Sequence, residues 1–358
     1  MIYHLLLPLA DQYAVFNVFR YITFRGVTAA LLALVLSFFL GPRLLRVLRA
    51  GQVRQVVSEF APEGHAAKQG TPTMGGVLIL ASLLVSVFLV ADITNVYILL
   101  TIAVITGFGA IGAVDDYLKI TQGKNAGLRA RTKLLWQVLI ATAAMSVLYA
   151  RPDFSTVLSV PFFKDLRPDL GIFYIPFAAV VIVGASNAVN LTDGLDGLAI
   201  GPVMTTAATY AILAYAAGHA RIAEYLLITP VPGAGELAIV CASIATASLG
   251  FLWFNTYPAQ MFMGDVGALA LGGALGMIAV VSKNELILLI AGGIFVVEAC
   301  SVIIQIASIK LRGKRVFRMA PIHHHFELAG WPEPLISVRF WIISVICALV
   351  TIGTLKLR

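Results

Sequence analysis

Residues 96–119 read VYILLTIAVITGFGAIGAVDDYLK, and this stretch determines the class of fold. Its first part, 96–114, carries no charged side chain and is long enough to cross the hydrocarbon core of a bilayer as a helix. Two aspartates, Asp115 and Asp116, follow directly where the apolar run stops. The stretch therefore predicts a membrane-spanning helix that brings acidic groups to one surface.

The rest of the chain repeats this pattern. Of its 358 residues 59% are hydrophobic and 12% are charged, whereas soluble domains contain about 25% charged residues. Only helices and closed barrels satisfy their backbone hydrogen bonds in lipid, and these runs are too long and too uniformly apolar for barrel strands. We predict an all-α polytopic membrane protein, with one domain over 1–358. Its ten predicted spans are about 22–44, 74–91, 96–114, 133–150, 170–188, 198–217, 236–254, 266–282, 286–309 and 337–355.

The distribution of positive charge predicts how these spans are oriented. Loops that follow the odd-numbered spans carry 16 of the 25 Lys and Arg residues, and the other side carries 9. Because Lys and Arg accumulate on the cytoplasmic side, both termini are predicted to be periplasmic. The cytoplasmic loops are then about 45–73, 115–132, 187–197, 255–265 and 310–336. This bias explains much of the net charge of +7, and no stretch resembles a nucleic-acid groove, so no nucleic-acid partner is expected.

Polar side chains collect in four segments, 112–119, 187–197, 254–267 and 321–327. All four follow odd-numbered spans and are therefore predicted to lie on the cytoplasmic face. A chance distribution would place such segments on both faces. Their convergence predicts one functional site at that surface.

Five aspartates lie in these segments with no basic residue next to them in sequence; they are Asp115, Asp116, Asp193, Asp196 and Asp265. A single acid at a helix end is usually solvated, and Asp265 alone could cap the helix that follows it. Five acids on one face, with Asn187, Asn190 and Asn255 beside them, favour a hard cation with oxygen ligands such as Mg²⁺.

Glycines shape two of these regions. Gly194 and Gly197 are expected to end a helix, so that Asp193 and Asp196 lie on a tight turn where backbone can approach a ligand. Asn187 and Asn190 share a helix face before that turn. In the eighth span, Gly272 and Gly276 form a small-xxx-small pair that favours close helix packing.

Three consecutive histidines, His323, His324 and His325, lie in the last polar segment. On a helix, neighbouring side chains point about 100° apart, so the three cannot bind one ion. We expect one or two of them to contact phosphate or hydroxyl groups; the alternative is a structural role at the membrane surface.

Glu298 is the one acid placed well inside a predicted span, away from the polar segments, and a structural hydrogen bond is the favoured interpretation.

Several long motifs resemble one family end to end. They are KQGTPTMGG at 68–76, VDDY at 114–117, NAVNLTDGLDGLA at 187–199, FLWFN at 251–255, PAQ at 258–260, FMGDVG at 262–267 and APIHHHFE at 320–327. With these motifs the chain resembles the phospho-N-acetylmuramoyl-pentapeptide transferases (translocase I) of the polyprenyl-phosphate N-acetylhexosamine-1-phosphate transferase superfamily.

The resemblance implies a reaction in the bacterial cytoplasmic membrane. Undecaprenyl phosphate would attack the sugar-linked phosphate of UDP-MurNAc-pentapeptide, forming lipid I and UMP for peptidoglycan synthesis. It also implies a homodimer in membrane lipid. Asp265 would bind Mg²⁺ with Asp115 and Asp116 beside it, and His324 would be a catalytic or phosphate-side group.

The resemblance also implies a nucleoside-binding set: Lys68, Thr73, Asn190, Asp193, Gly194, Leu195, Asp196, Asn255 and Phe262. We add five further candidate substrate-binding residues: Lys119, Lys133, Asn187, His323 and His325.

Two other functions remain open at this point. A sister enzyme that uses UDP-GlcNAc or a related donor would have similar aspartates, but the His-rich loop favours the muramoyl-pentapeptide enzyme. A cation-coupled transporter would place charges in the middle of the membrane, whereas most acids here follow one face. The residues do not distinguish a one-step transfer from a covalent two-step route, nor do they show which of Asp115 and Asp116 would act as base or nucleophile.

Overall fold

The structure of the chain, a computed structural model, describes residues 1–51, 70–122, 127–163 and 165–355. Within these ranges the regular secondary structure consists of α-helices and short 3₁₀ helices. Val157 and Asp169 form an isolated β-bridge. The α-helices are α1 (Ile2–Leu6), α2 (Ile22–Ala50), α3 (Gly76–Val90), α4 (Val96–Gln122), α5 (Ala130–Tyr149), α6 (Tyr174–Thr192), α7 (Ile200–Ala217), α8 (Ala220–Leu226), α9 (Leu237–Asn255), α10 (Gly264–Val281), α11 (Leu288–Ala291), α12 (Gly293–Arg312), α13 (Ile322–Glu327) and α14 (Glu333–Gly353). The predicted all-α class is confirmed for this part of the chain.

Each predicted span overlaps one of these helices, except that 286–309 is divided between α11 and α12. Over the described ranges, nine are long and apolar enough to cross a membrane; they are α2, α4, α5, α6, α7, α9, α10, α12 and α14. The remaining one, α3, has 15 residues. That length gives about 22 Å, which is short of a hydrocarbon core of roughly 30 Å. A multi-span membrane protein is therefore confirmed, while the count of ten spans and the periplasmic termini stay predictions.

Helix α10 forms the centre of the bundle. Every residue from 266 to 281 is buried, between α4 on one side and α6 on the other. A Cβ added to Gly272 would lie 2.6 Å from the Ala185 carbonyl oxygen, and one added to Gly276 would lie 2.7 Å from Ile182 Cα. The predicted close packing at this glycine pair is confirmed, and it places the first turn of α10 directly between the ends of α4 and α6.

The opposite end of the bundle is held by buried ionic contacts. Arg25 of α2 donates two hydrogen bonds to the Glu236 carboxylate, at 2.7 and 2.5 Å. The same carboxylate accepts the backbone N–H of Asp92, just beyond the end of α3, at 3.2 Å. A bidentate Arg–Glu pair of this kind satisfies both charges in a buried site. Loss of either partner would leave a buried charge without compensation. The contact ties three helices together far from the polar segments.

Candidate active site

Three carboxylates meet where α4 ends and α10 begins. Asp115 and Asp116 lie in the last part of α4 and are 3% and 4% exposed, and Asp265 lies in the first turn of α10. One oxygen from each lies within 4.8 Å of the others. Asp193, just beyond the end of α6, is close enough to interact with this group: burial, followed by the charges of the neighbouring carboxylates, raises its pKa to about 8. The predicted convergence of the acids at one end of the bundle is confirmed for Asp115, Asp116 and Asp265.

Two lysines lie among the carboxylates. Lys119 Nζ is 2.6 Å from Asp115 Oδ2, 3.3 Å from Asp265 Oδ2 and 3.8 Å from Asp116 Oδ1. Lys133 Nζ, from the first turn of α5, is 2.5 Å from Asp265 Oδ2. The acids have no basic neighbour in sequence, but the fold brings these two lysines to them. Lys119 follows Asp115 by four residues, so both share one helix face and the sequence spacing could have shown the pair.

The backbone at the start of α10 is capped from another helix. Asp116 Oδ2 accepts the N–H of Val266 at 3.2 Å, which satisfies one of the donors that a helix start leaves free. The N-cap position itself is Met263, whose side chain makes no capping bond. Asp265 instead accepts a hydrogen bond from Asn190 Nδ2 at 2.9 Å, besides its contact with Lys133. The interpretation of Asp265 as a helix cap is therefore wrong, because its side-chain oxygens point toward the carboxylates of Asp115 and Asp116.

Two glycines allow this close approach. A Cβ on Gly112 of α4 would lie 2.3 Å from the Asp265 carbonyl oxygen, and one on Gly264 would lie 2.5 Å from Asp116 Oδ2. Gly264 also has φ +73°, which glycine adopts without steric cost. The carboxylates can therefore meet only because side chains are missing at these two positions.

The segment 193–199 forms the predicted turn between α6 and α7. Gly197 has φ +68°, and its N–H donates to Asn255 Oδ1 at 3.0 Å. Asn255 Nδ2 in turn donates to the Met261 carbonyl at 3.0 Å. Asn255 is buried and joins the turn to the loop before α10. Its polar atoms are therefore engaged within the protein, which favours a supporting role over direct substrate contact.

The next two residues of the predicted set also fasten this turn. Asp196 Oδ2 accepts the N–H of Ala259 at 2.9 Å, and Asp196 is buried. Leu195 is buried in a small apolar cluster with Phe340 of α14. Both residues therefore help to fix the position of the turn that carries Asp193, next to the three clustered carboxylates.

The loop before α10 pairs with the segment before α3. Phe262 donates its N–H to the Pro72 carbonyl at 2.8 Å and accepts the N–H of Gly75 at 2.7 Å. Its side chain is half-buried. Thr73 is buried, and its hydroxyl would lie 3.1 Å from a Cβ on Gly264. Thr73 therefore lies beside Gly264 and the carboxylates, and Phe262 pairs with the segment that carries Thr73. Their assignment to the nucleoside stays a prediction.

Asn187 lies one helical turn further into the bundle. Its Nδ2 donates to Gln137 Oε1 at 2.9 Å and to the Val183 carbonyl at 2.8 Å. Gln137 of α5 is fully buried and also donates to Ser186 Oγ at 3.3 Å. Sequence analysis missed Gln137, although a buried amide in an apolar helix is a recognisable signal. The prediction for Lys68 falls outside the described residues.

The three histidines have three different partners. His323 Nδ1 lies 3.1 Å from Glu298 Oε1, His324 Nδ1 lies 2.5 Å from Glu327 Oε2, and His325 Nδ1 accepts the N–H of Arg318 at 3.1 Å. The rings of His323 and His324 are in contact, with centroids 4.2 Å apart, but the three Nδ1 atoms bond to three different groups. The expected hydrogen bond of Glu298 is confirmed, but its expected position away from the polar segments is wrong, because α13 turns His323 into the bundle to meet it.

The three carboxylates fit a magnesium ion. Asp115, Asp116 and Asp265 supply only oxygen donors, which is the ligand type that Mg²⁺ selects, and they gather at one point. The two ammonium groups of Lys119 and Lys133 lie beside them. This combination of acidic and basic groups suits a metal-bound phosphate ligand, since the acids hold the ion and the lysines match the phosphate oxygens.

Comparison with known proteins gives consistent matches. Residues 97–283 match the family model of glycosyl transferase family 4, and residues 68–80 match signature 1 of phospho-N-acetylmuramoyl-pentapeptide-transferase. The chain is similar to the phospho-N-acetylmuramoyl-pentapeptide-transferases of Geobacter sp. (strain M21), at 59% identity, of Citrifermentans bemidjiense, at 58%, and of Pelobacter propionicus, at 57%. Each match covers 100% of both chains.

Proposed function

The chain belongs to the phospho-N-acetylmuramoyl-pentapeptide transferase family and is a transferase, and we propose that it acts with Mg²⁺ on UDP-MurNAc-pentapeptide and undecaprenyl phosphate. The products are lipid I and UMP. The structural observation that carries the proposal is the group of three carboxylates and two lysines at the start of α10. This combination holds a metal-bound diphosphate better than it would hold a neutral sugar or an amino acid.

The reaction forms one P–O bond and breaks another. An oxygen of undecaprenyl phosphate attacks the phosphorus attached to the sugar, and UMP leaves with the electron pair of the broken bond. Such transfers depend chiefly on positioning and charge neutralisation. When bound, Mg²⁺ supplies neutralisation of the charge that develops on the diphosphate oxygens.

The chain's own residues position the reactants. Asp115, Asp116 and Asp265 would hold the metal, and Asn190 fixes the orientation of the Asp265 carboxylate by its 2.9 Å hydrogen bond. Lys119 and Lys133 exchange their carboxylate contacts for phosphate oxygens of the donor. The acceptor is already an anion, so no strong general base is required. His324, oriented by Glu327, lies on the same side of the bundle and is assigned to the phosphate groups.

The test is release of UMP by the purified protein in detergent. We expect release only when UDP-MurNAc-pentapeptide, undecaprenyl phosphate and Mg²⁺ are all present. UDP-GlcNAc replaces the donor in a parallel reaction. Faster turnover of UDP-GlcNAc would move the assignment to the sister enzymes, and full activity after removal of divalent cations would refute the role of Mg²⁺.

The active site is proposed to face the cytoplasm, in the inner membrane, because 16 of the 25 Lys and Arg residues belong to loops on that side. In a protein whose three cysteines are replaced by serine, Gln122→Cys and Asp153→Cys probe the two faces. We expect a membrane-impermeant maleimide to label Asp153→Cys in intact cells, and Gln122→Cys only after the membrane is opened. Labelling of both in intact cells would contradict the proposed topology.

The family resemblance also supports a homodimer. The mass of the detergent-solubilised particle tests it, and a mass of one chain of 38.2 kDa would exclude the dimer under those conditions.

A further inference from the structure

Helix α12 carries a buried polar stripe on one side. Glu298, Ser301 and Gln305 are buried and recur at helical spacing, whereas Val297 and Ile304 on the other sides are exposed. Gln305 Oε1 accepts the N–H groups of Val316 and Phe317, and its Nε2 donates to the Phe317 carbonyl, all at 3.0 Å. The stripe therefore holds the loop that leads into α13.

Glu298 extends this stripe to His323. The two side chains are 0% and 1% exposed, and Glu298 Oε1 lies 3.1 Å from His323 Nδ1. Among the described residues, no hydrogen-bond partner reaches His323 Nε2 or Glu298 Oε2. An acid buried this deeply needs a partner, and His323 is the cationic or donor group that the structure provides.

The far side of the His323 ring touches the turn that carries Asp193. A Cβ on Gly194 would lie 2.2 Å from His323 Nε2, so the imidazole packs directly on the Gly194 backbone. The Gly194 N–H is already engaged, because it donates to the Thr192 carbonyl at 2.9 Å. His323 Nε2 therefore packs against the Gly194 Cα. An unprotonated nitrogen fits this contact, whereas an N–H pointing at Cα would clash with it.

Whether His323 Nε2 carries a proton depends on the hydrogen bond that Nδ1 makes. A carboxylate can only accept, so a carboxylate at Nδ1 keeps a proton on that nitrogen. In the neutral imidazole Nε2 is then a lone pair, which agrees with its packing against the Gly194 backbone. A hydrogen bond to one ring nitrogen commonly selects the tautomer and orientation of a functional histidine in this way. Glu298, His323 and Gly194 therefore form a continuous line from α12 to the turn at 193–194.

We propose that Glu298 is a positioning residue for the donor-binding turn: it keeps the His323 proton on Nδ1, so that the ring supports Gly194 and with it Asp193. The inference rests on the proposed function, together with the family resemblance, which assigns Asp193 and Gly194 to the nucleoside of the UDP donor. The polyprenyl acceptor is not expected to depend on this contact.

The first test is spectroscopic and needs no substrate. The chain has six histidines, so ¹⁵N-histidine labelling in detergent micelles gives few signals, and His323 is assigned by its loss in His323→Gln. We expect wild-type His323 to be protonated on Nδ1 only. A proton on Nε2 in the wild type overturns the proposal.

The second test is kinetic. Glu298→Gln keeps the size of the side chain but removes the carboxylate charge, and its amide can donate to Nδ1 as well as accept from it, so the proton is no longer fixed on Nδ1. We expect the His323 signal to change and the KM for the UDP donor to rise about 10-fold, with the KM for undecaprenyl phosphate unchanged. Ser301→Ala is the matched control, since Ser301 is buried on the same face and its hydroxyl donates to the Glu298 backbone carbonyl at 2.7 Å.

The outcomes distinguish failure of the positioning role of Glu298 from failure of the proposed transferase function. An unchanged donor KM in Glu298→Gln, or an equal rise in both KM values, assigns Glu298 to structure alone and refutes the positioning role. If Glu298→Gln fails to fold, the wild-type spectrum still decides the tautomer. Absence of UMP release by the wild type would refute the proposed function while leaving the spectroscopic result intact.

Discussion

Asp265→Asn is expected to lower the rate of UMP release by at least about 100-fold, the scale observed when a preorganised electrostatic contact is removed from an active site. The neutral amide is a weaker ligand for Mg²⁺ and loses the charge that Lys119 and Lys133 contact at 3.3 and 2.5 Å. Because asparagine has nearly the same shape and can still accept from Asn190, the fold should survive. Initial rates over a Mg²⁺ titration, with the melting temperature of the same preparation, measure both effects.

The matched control is Asp153→Asn. Asp153 is an exposed aspartate whose partner, Arg151, lies two residues away at 2.7 Å, and exposed pairs of this kind contribute little to stability. It should leave both the rate and its Mg²⁺ dependence unchanged. A near-normal rate for Asp265→Asn at limiting Mg²⁺ would remove Asp265 from the metal site.

Gly112→Ala should be almost as damaging, although it adds only one methyl group. That Cβ would lie 2.3 Å from the Asp265 carbonyl oxygen, 2.4 Å from its carbonyl carbon and 2.5 Å from the Val266 nitrogen. All three are backbone atoms, so no side-chain rotation relieves the overlap and α4 must move away from α10. Asp115 and Asp116 then separate from Asp265. A displacement of about 1 Å at reacting groups can cost roughly 100-fold in rate.

The same overlap should lower stability by about 1–3 kcal/mol, as overpacked cores do. Gly184→Ala in α6 is the control, because its Cβ would meet no atom within 4 Å and alanine favours a helix. Rates of UMP release and melting temperatures of the two variants are compared directly. Normal turnover by Gly112→Ala would show that the contact between α4 and α10 does not set the geometry of the carboxylates.

The helices and the end of the bundle that carries the site follow from sequence alone. Apolar runs longer than about 15 residues have few alternatives to a helix in lipid, and this requirement is local to each run. The turn at 193–199 was likewise predictable, because Gly194 and Gly197 lie among polar residues where the apolar run ends. Even α3, too short to count as a span by length, lies where its apolar run predicts a helix.

The partners within the site were decided only by tertiary structure. Lys133 reaches Asp265 across 132 residues of chain, and Asp116 caps the start of α10 across 150. Glu298 seemed remote from the polar segments because its depth was judged along its own helix, whereas α13 folds back into the bundle to place His323 against it. Hydropathy and spacing describe one helix at a time. Which side chains touch depends on how closely the helices pack, and here glycines such as Gly112 allow an approach that no local pattern specifies.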